Sequence, residues 1–415
     1  MLAKRWFRCS GAVLVWGMSS ALFWVGASPR AVAQEVPITL EKRAGEADPV
    51  VAVRGGGGSA DLVENLRRVL TFSGWFRVEA GSGGGVDYVI EPDLESGSPD
   101  TLSLVVRSSG GGFRLRTRGR GGMDMLCRAA VDRLIRELFD RPGPCMSLIA
   151  FVNGGATKEV SLIHPDGRGA RTLTRNGTIS TEPNWGGSAG HMVYTLYRNH
   201  RSETILMDVP AGRQRRIARQ TGLNAGAALS PDGGWLAVCL SKGDQVDLFL
   251  SRVGAGERRR LTSDTAVEAS PAWAPDGRAL CYVSDRFGTP QVHVLDRLGG
   301  GAGRRLLSQS VEAVSPDWSP DGKRIVFAMR QGGRYRIAYV ELGTGGQSAP
   351  VIVTDASSDW ESPAWAPDSR HVVCSRENGS QRSICVVDTR DGSVQPLTRR
   401  GNYALPDWSD PLPLR

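Results

Sequence analysis

Gly186-Gly187-Ser188-Ala189-Gly190 matches the GxSxG pattern of a serine nucleophile. That chemistry needs a strand entering the serine, a helix leaving it, and Asp and His partners downstream. Here the motif follows Trp185 and runs straight into the strand-like Met192-Val193-Tyr194, so it reads as a turn. Gly55-Gly56-Gly57-Gly58-Ser59 precedes a helical pattern, as a phosphate-cradling loop would. It lacks the lysine and following hydroxyl of a P-loop, which leaves Ser59 as a helix N-cap. The histidines, His164, His191, His200, His293 and His371, show no ligand spacing. The aspartates of the turns lack the alternating oxygen ligands of a calcium loop, and no CxxC points to zinc. Neither a catalytic centre, a metal nor a cofactor is expected.

The elements that would have to position any site are set by a repeat. Trp185, Leu229, Trp273, Trp318, Trp365 and Trp408 each anchor a phrase of apolar residue, tight turn and apolar run, with successive gaps of 44, 44, 45, 47 and 43 residues. A period of about 45 with four short strands per unit predicts a β-propeller. In one unit, Ser319-Pro320-Asp321-Gly322 places Pro and Gly where a type I turn wants them. The apolar run Ile325-Val326-Phe327 that follows then reads as a strand buried on both faces. A closing strand recurs in register at Leu173, Ile217, Leu261, Leu306, Val353 and Leu397.

Only seven residues follow Trp408, too few for a blade. Three strands without an anchor stand at the other end, around residues 148–152, 160–163 and 171–174. The last strand in sequence is therefore expected to complete the blade begun by the first three. That closure leaves a six-bladed ring of four-stranded antiparallel sheets without a free sheet edge at the join.

The start of the chain reads as an export leader, residues 1–33: Lys4, Arg5 and Arg8, an apolar run from Gly11 to Val25, and Ala31-Val32-Ala33 as the cleavage site. No other stretch is long and apolar enough to span a bilayer, and direct membrane insertion is not expected. Removing the leader lowers the formal charge from +8 to +4, with 47 basic and 43 acidic residues left. Arg258-Arg259-Arg260 falls in an expected turn and reads as solvated charge, and no nucleic-acid module is present. Of the cysteines after the leader, Cys374 and Cys385 fall on neighbouring strands and can pair. Cys127 and Cys145 can do so only if their Cα atoms approach within about 7 Å. Buried free thiols are the equal alternative.

Residues 34–145 are expected to form a small α/β domain, and residues 146–415 the propeller. The first contains a strand at Val50-Val51-Ala52-Val53, a helix with Leu62, Leu66, Val69 and Leu70 on one face, three further strands, and a second helix carrying Leu126, Ala130, Leu134 and Leu138.

In a propeller the links that precede the anchors converge on one rim. Here they carry Glu182, Asn224, Glu268, Glu312, Asp359 and Glu361. The links between second and third strands reach the same side, with Arg198, Lys242, Arg286, Arg330 and Arg376. The expected surface is a ring of mixed charge, suited to orienting a folded protein partner.

Four stretches carry a resemblance: Pro271-Ala272-Trp273-Ala274-Pro275-Asp276-Gly277, Ser284-Asp285-Arg286-Phe287-Gly288-Thr289-Pro290-Gln291-Val292, Arg260-Leu261-Thr262, and the terminal Leu405-Pro406-Asp407-Trp408-Ser409. With the export signal and the order of the two domains, the chain resembles the TolB family, periplasmic components of the Tol-Pal envelope system. The resemblance covers nearly all of the chain after the leader. It implies a monomeric, non-enzymatic periplasmic adaptor. Its propeller face would bind a peptidoglycan-associated lipoprotein (Pal), and its N-terminal segment, here Glu35, Val36 and Ile38 and their neighbours, would engage an inner-membrane TolA-like protein. Outer-membrane integrity and cell division would depend on both contacts. Added-strand pairing would suit such a segment, although Pro37 lacks a backbone donor. Where the family carries a histidine on the rim, this chain has Leu223 beside Asn224. The alternative class is a propeller-bearing hydrolase of the prolyl-oligopeptidase type, which would need a triad that residues 34–145 do not offer.

Overall fold

The computed structural model describes residues 48–55, 59–79, 85–186, 190–199, 201–220, 224–242, 245–301, 303–343, 349–399 and 401–414. The expected leader, the segment with Glu35, Val36 and Ile38, the centre of the GxSxG stretch, His200 and Leu223 lie outside these residues.

The N-terminal α/β region has a five-stranded sheet: β1 (Val50–Val53), β2 (Arg77–Glu79), β3 (Tyr88–Glu95), β4 (Asp100–Ser108) and β5 (Gly111–Gly119), in the order β2-β1-β3-β4-β5. β1 pairs in parallel with β2 and β3, and the remaining pairs are antiparallel. Helix α1 (Ala60–Ser73) starts at Ser59, whose hydroxyl accepts the Leu62 N–H at 3.3 Å, and stops at Gly74 in the left-handed region with φ +67°. Its Leu62, Leu66 and Leu70 join Leu126, Ala130 and Leu134 of α2 (Gly122–Phe139) in one buried core.

Six four-stranded antiparallel sheets follow. Blade 1 is Ile179–Trp185, His191–Arg198, Arg201–Asp208 and Arg213–Gln220, from the inner strand outward. Blade 2 is Asn224–Leu229, Trp235–Lys242, Gln245–Arg252 and Arg258–Arg260; blade 3 is Glu268–Trp273, Leu280–Ser284, Gln291–Leu295 and Arg304–Arg305. Blade 4 is Ala313–Trp318, Arg324–Gln331, Arg334–Glu341 and Val351–Ile352; blade 5 is Asp359–Trp365, His371–Asn378, Gln381–Asp388 and Val394–Pro396. Blade 6 takes its inner strand, Tyr403–Trp408, from the end of the chain and pairs it antiparallel with Ile149–Asn153, then Glu159–Ile163 and Arg171–Thr172. The ring closes as the repeat arithmetic predicts.

The repeated residues have repeated jobs. The Gly322 N–H donates to Ser319 O at 2.8 Å and closes the expected turn. The closing-strand residues Leu173, Leu261, Leu306, Val353 and Leu397 each donate their N–H to the third strand, at 2.7–2.9 Å. In four blades the next residue is a threonine, Thr174, Thr262, Thr354 or Thr398, whose Oγ1 accepts a third-strand N–H at 2.8–3.0 Å. A side chain thus takes over one ladder bond where the outer strand turns away.

Two further regularities lie on the inner strands. Three residues before every anchor the chain is left-handed: Glu182, Gly226, Ser270, Ser315, Ser362 and Leu405, with φ of 53°, 61°, 48°, 51°, 51° and 51°. Each coincides with a slip in the pairing of the inner strand with its neighbour, a β-bulge that bends the strand around the channel. For non-glycine residues this conformation costs about 1 kcal/mol or more apiece, so closure imposes it and local preference does not. One residue before the anchor, three blades carry a latch to the next blade. Asn184 Oδ1 accepts Leu229 N–H at 3.1 Å, Asp317 Oδ2 accepts Trp365 N–H at 2.7 Å, and Asp407 Oδ2 accepts Trp185 N–H at 2.5 Å.

The N-terminal region packs on the face of the ring that bears the anchor turns. Asp368, in the turn after Trp365, accepts from Trp75 Nε1 at 3.0 Å, His371 Nδ1 at 2.6 Å and two backbone N–H groups. Arg370 pairs with Asp388 at 2.6 Å and with Asp48 at 3.2 Å, and lies 4.8 Å above the Trp75 ring. A Cβ on Gly74 would stand 2.3 Å from His371 Nε2, so glycine is required there for space as well as for φ. A second contact joins Arg128 to Asp166 at 2.7 Å, with Arg68 on the same carboxylate. All six described cysteines are buried free thiols, and Cys374 and Cys385 stand opposite one another unjoined.

Burial pushes the Asp317 carboxyl up to about 6 although two backbone N–H groups favour its anion. An acid whose folded pKa exceeds its unfolded value of about 4 loses folded-state stability as pH rises through that interval. Asp317→Asn keeps the acceptor, as Asn184 does in blade 1, and removes the ionisation. Urea unfolding should show the variant gaining about 2 kcal/mol on the wild type between pH 4 and pH 8; a difference independent of pH would contradict the latch assignment.

Candidate functional site: the charged rim

The rim opposite the N-terminal region is built where inner strands begin and second strands turn into third strands. Pairs such as Glu268–Arg286 and Glu312–Arg330 join the two sets of links, at 3.1 and 3.6 Å, so both lie on one side of the ring. Glu182, Glu312 and Asp359 are half-buried, Arg198 and Arg330 are exposed, and Arg286 and Arg376 are half-buried. Strand positions place Asn224 and Lys242 at the same end of blade 2.

The ring of mixed charge expected from the sequence needs correcting at two of its acids. Glu268 has no exposed surface and Glu361 is 8% exposed, so neither is available to a partner. Their carboxylates brace their own blades. Arg286 donates through Nη2 to Glu268 Oε1 at 3.1 Å and to the Tyr282 hydroxyl at 3.2 Å, and through Nε to Ser284 Oγ at 3.0 Å, while Asp264 stands 3.1 Å away. Burial pushes the Glu268 carboxyl up to about 8, against the pull of Arg286. Burial likewise lifts Glu361 to about 7, opposed by Arg382. Glu182 reaches across to blade 2, accepting Gly226 N–H at 3.0 Å and the Thr195 hydroxyl at 3.1 Å, and burial raises it as well.

The side chains presented to solvent are a different subset. Glu312 accepts from the Tyr335 hydroxyl, Arg330 lies 5.7 Å from the Tyr335 ring, and Arg334 pairs with Asp359 at 3.0 Å. Phe287, 59% exposed, stacks on His293 at 5.8 Å. Sequence reasoning passed over Phe287 and Arg334. The signal for Phe287 was an aromatic in a polar Asp-Arg-Phe-Gly link. Behind the GxSxG position the next described element is the strand beginning at His191, not a helix. Among the described residues no helix is long and apolar enough to cross a membrane.

A family model described as the TolB beta propeller domain matches residues 137–412. The chain belongs to the TolB beta-propeller family. Among curated TolB relatives, a "Tol-Pal system protein TolB" from Francisella tularensis subsp. tularensis (strain WY96-3418) is 33% identical over 61 residues, 15% of this chain and 14% of that protein. Its counterpart from subsp. holarctica (strain OSU18) is 29% identical over 109 residues, 26% of this chain and 22% of that protein. The chain's matching stretches thus span less than a quarter of either relative. Among solved structures, TolB from Acinetobacter baumannii is similar with a TM-score of 0.78 at 20% identity, covering 88% of this chain and 98% of that one. A putative TolB from Agrobacterium tumefaciens gives a TM-score of 0.50 at 18% identity over 62% and 90% of the two chains. These likenesses are of fold, and the first extends over most of both chains.

Arg286→Met keeps the aliphatic stem and deletes three hydrogen bonds around a buried carboxyl. It should cost about 3 kcal/mol in urea unfolding and speed amide exchange in the 284–288 link. A loss below about 0.5 kcal/mol would show that the cluster is not what holds that link.

Proposed function

We propose that this protein is a non-enzymatic, periplasmic component of the Tol-Pal system, divided near residue 145 into an α/β domain and a propeller. Its open rim binds a Pal-like lipoprotein, and its segment around Glu35, Val36 and Ile38 engages a TolA-like inner-membrane protein. In this reading the chain supports outer-membrane integrity and cell division by linking the two. The observation that carries it is the family match across the whole ring, read with a rim on the side away from the described N-terminal residues. The name of the curated relatives, "Tol-Pal system protein TolB", supplies the system. Exposed Arg198, Arg330 and Arg334 beside half-buried acids suit an electrostatically oriented docking that sets register and on-rate.

The burial of Glu268 decides how the test is made, because a cationic side chain placed there would face Arg286 out of water and disturb blade 3. Arg198→Glu and Arg330→Glu alter exposed charges on the rim, and Arg278→Glu alters an exposed charge on the opposite face. With the soluble Pal-like domain of the same organism, the rim pair should weaken binding at least about tenfold, with Arg278→Glu near wild type. No binding by wild type, or a loss confined to Arg278→Glu, would contradict the proposal.

A further inference from the structure

The outer strands carry arginine on one side of the ring only. The outer strands of blades 6, 1, 2 and 3 hold ten arginines: one in Arg171–Thr172, four in Arg213–Gln220, three in Arg258–Arg260 and two in Arg304–Arg305. The outer strands of blades 4 and 5, Val351–Ile352 and Val394–Pro396, hold none. Charge on an edge strand commonly serves to keep other chains from pairing with it. That purpose applies equally to all six edges, so it leaves the asymmetry unexplained.

The four blades are consecutive around the ring, and one of these arginines reaches from its own blade to the next. Arg215 of blade 1 reaches the blade 2 turn, where a Cβ on Gly254 would lie 3.0 Å from its Nη1. Some of the charge is compensated: Arg213 pairs with Asp208 at 2.9 Å, Arg216 and Arg219 share Glu203, and Arg260 pairs with buried Asp247 at 2.7 Å. Among the described residues no carboxylate pairs with Arg171, Arg215 or Arg259, and all three are exposed. From residue 201 to 260 the chain carries ten Arg or Lys against six Asp or Glu, an excess equal to that of the whole chain after its leader. The crescent ends at Phe287, one of two exposed large hydrophobic side chains among the described residues, with the Arg305 guanidinium 5.5 Å from its ring.

We propose that this arginine crescent docks the propeller edge-on against an anionic lipid surface, with phosphate headgroups facing the outer strands of blades 6 to 3 and Phe287 entering the headgroup layer. A convex wall with arginines spread over four blades suits a broad, delocalised array of phosphates. Basic side chains close to an anionic bilayer gain from its surface potential within a Debye length, and an exposed aromatic at the edge adds interfacial contact. A single-stranded nucleic acid would favour a groove with successive exposed rings, and among the described residues Phe287 is the one exposed aromatic of the crescent.

The test is co-sedimentation of a chain beginning at Gln34, which lacks the apolar leader, with vesicles of phosphatidylcholine containing about 30% phosphatidylglycerol. Phosphatidylcholine vesicles and a DNA oligonucleotide at the same salt are the comparisons. The expected result is binding to the anionic vesicles that falls steeply between about 0.05 and 0.5 M salt. Combined Arg171→Gln, Arg215→Gln and Arg259→Gln should weaken it at least about tenfold; Phe287→Ala should weaken it less. Among the described residues these three arginines pair with no carboxylate, so urea unfolding should match wild type and confirm that the variant is folded. Equal binding to neutral vesicles, binding that survives the triple substitution, or retention by DNA without vesicle binding would overturn the proposal.

Discussion

Everything in this molecule depends on one pairing, that of the last strand, Tyr403–Trp408, with the first strand of the ring, Ile149–Asn153. Without it the sheets would end in two open edges, and the anchors would have no circle to point into. The join is sealed at three points. Asp407 accepts the Trp185 N–H of blade 1, Trp408 Nε1 donates to the Ser147 hydroxyl at 2.5 Å, and the Leu148 N–H donates to Ser409 Oγ at 2.9 Å. The first of these ties the closing blade to the one after it, and the other two tie the start of the ring to its last strand within blade 6. Bringing residues 149 and 408 together also closes a very long loop, at an entropic cost that grows only slowly with its length.

Closure divides the ring into two unlike faces. On the anchor face the N-terminal region is held by charges removed from water: Asp368, Asp388, Arg370 and His371 from blade 5 meet Asp48 and Trp75. Burial alone would disfavour a charged imidazole at His371, but Asp368 and Asp388 outweigh it and raise its affinity for the proton. Such a cluster specifies orientation more than it adds stability, since each charge gives up hydration to enter. On the opposite face the described polar groups divide between braces that stay inside a blade and charges left to solvent.

The parts legible in the sequence are those where local chemistry and global fold agree. Tight turns, an apolar run behind each, and an apolar closing residue at the outer edge, followed by threonine in four blades, repeat because the blades make the same bonds. The left-handed bulges were not legible. Nothing in Glu182, Ser315 or Leu405 favours positive φ, and the conformation is imposed by neighbouring blades. Glu268 was misread for a similar reason. A glutamate ordinarily marks surface, and its brace, Arg286, lies in another link and meets it only after the strands pair. Alternation of acid and base at the rim therefore showed where the charges gather, but not which of them remain accessible.

The central claim is that the rim facing away from the N-terminal region receives the lipoprotein partner. Hydrogen-exchange footprinting of the full complex tests it without substitutions. The account predicts slowed exchange in the links around residues 198–201, 284–291 and 330–334, with the anchor-side turns at 231–234 and 275–278 unchanged. Protection confined to the anchor-side turns would contradict it.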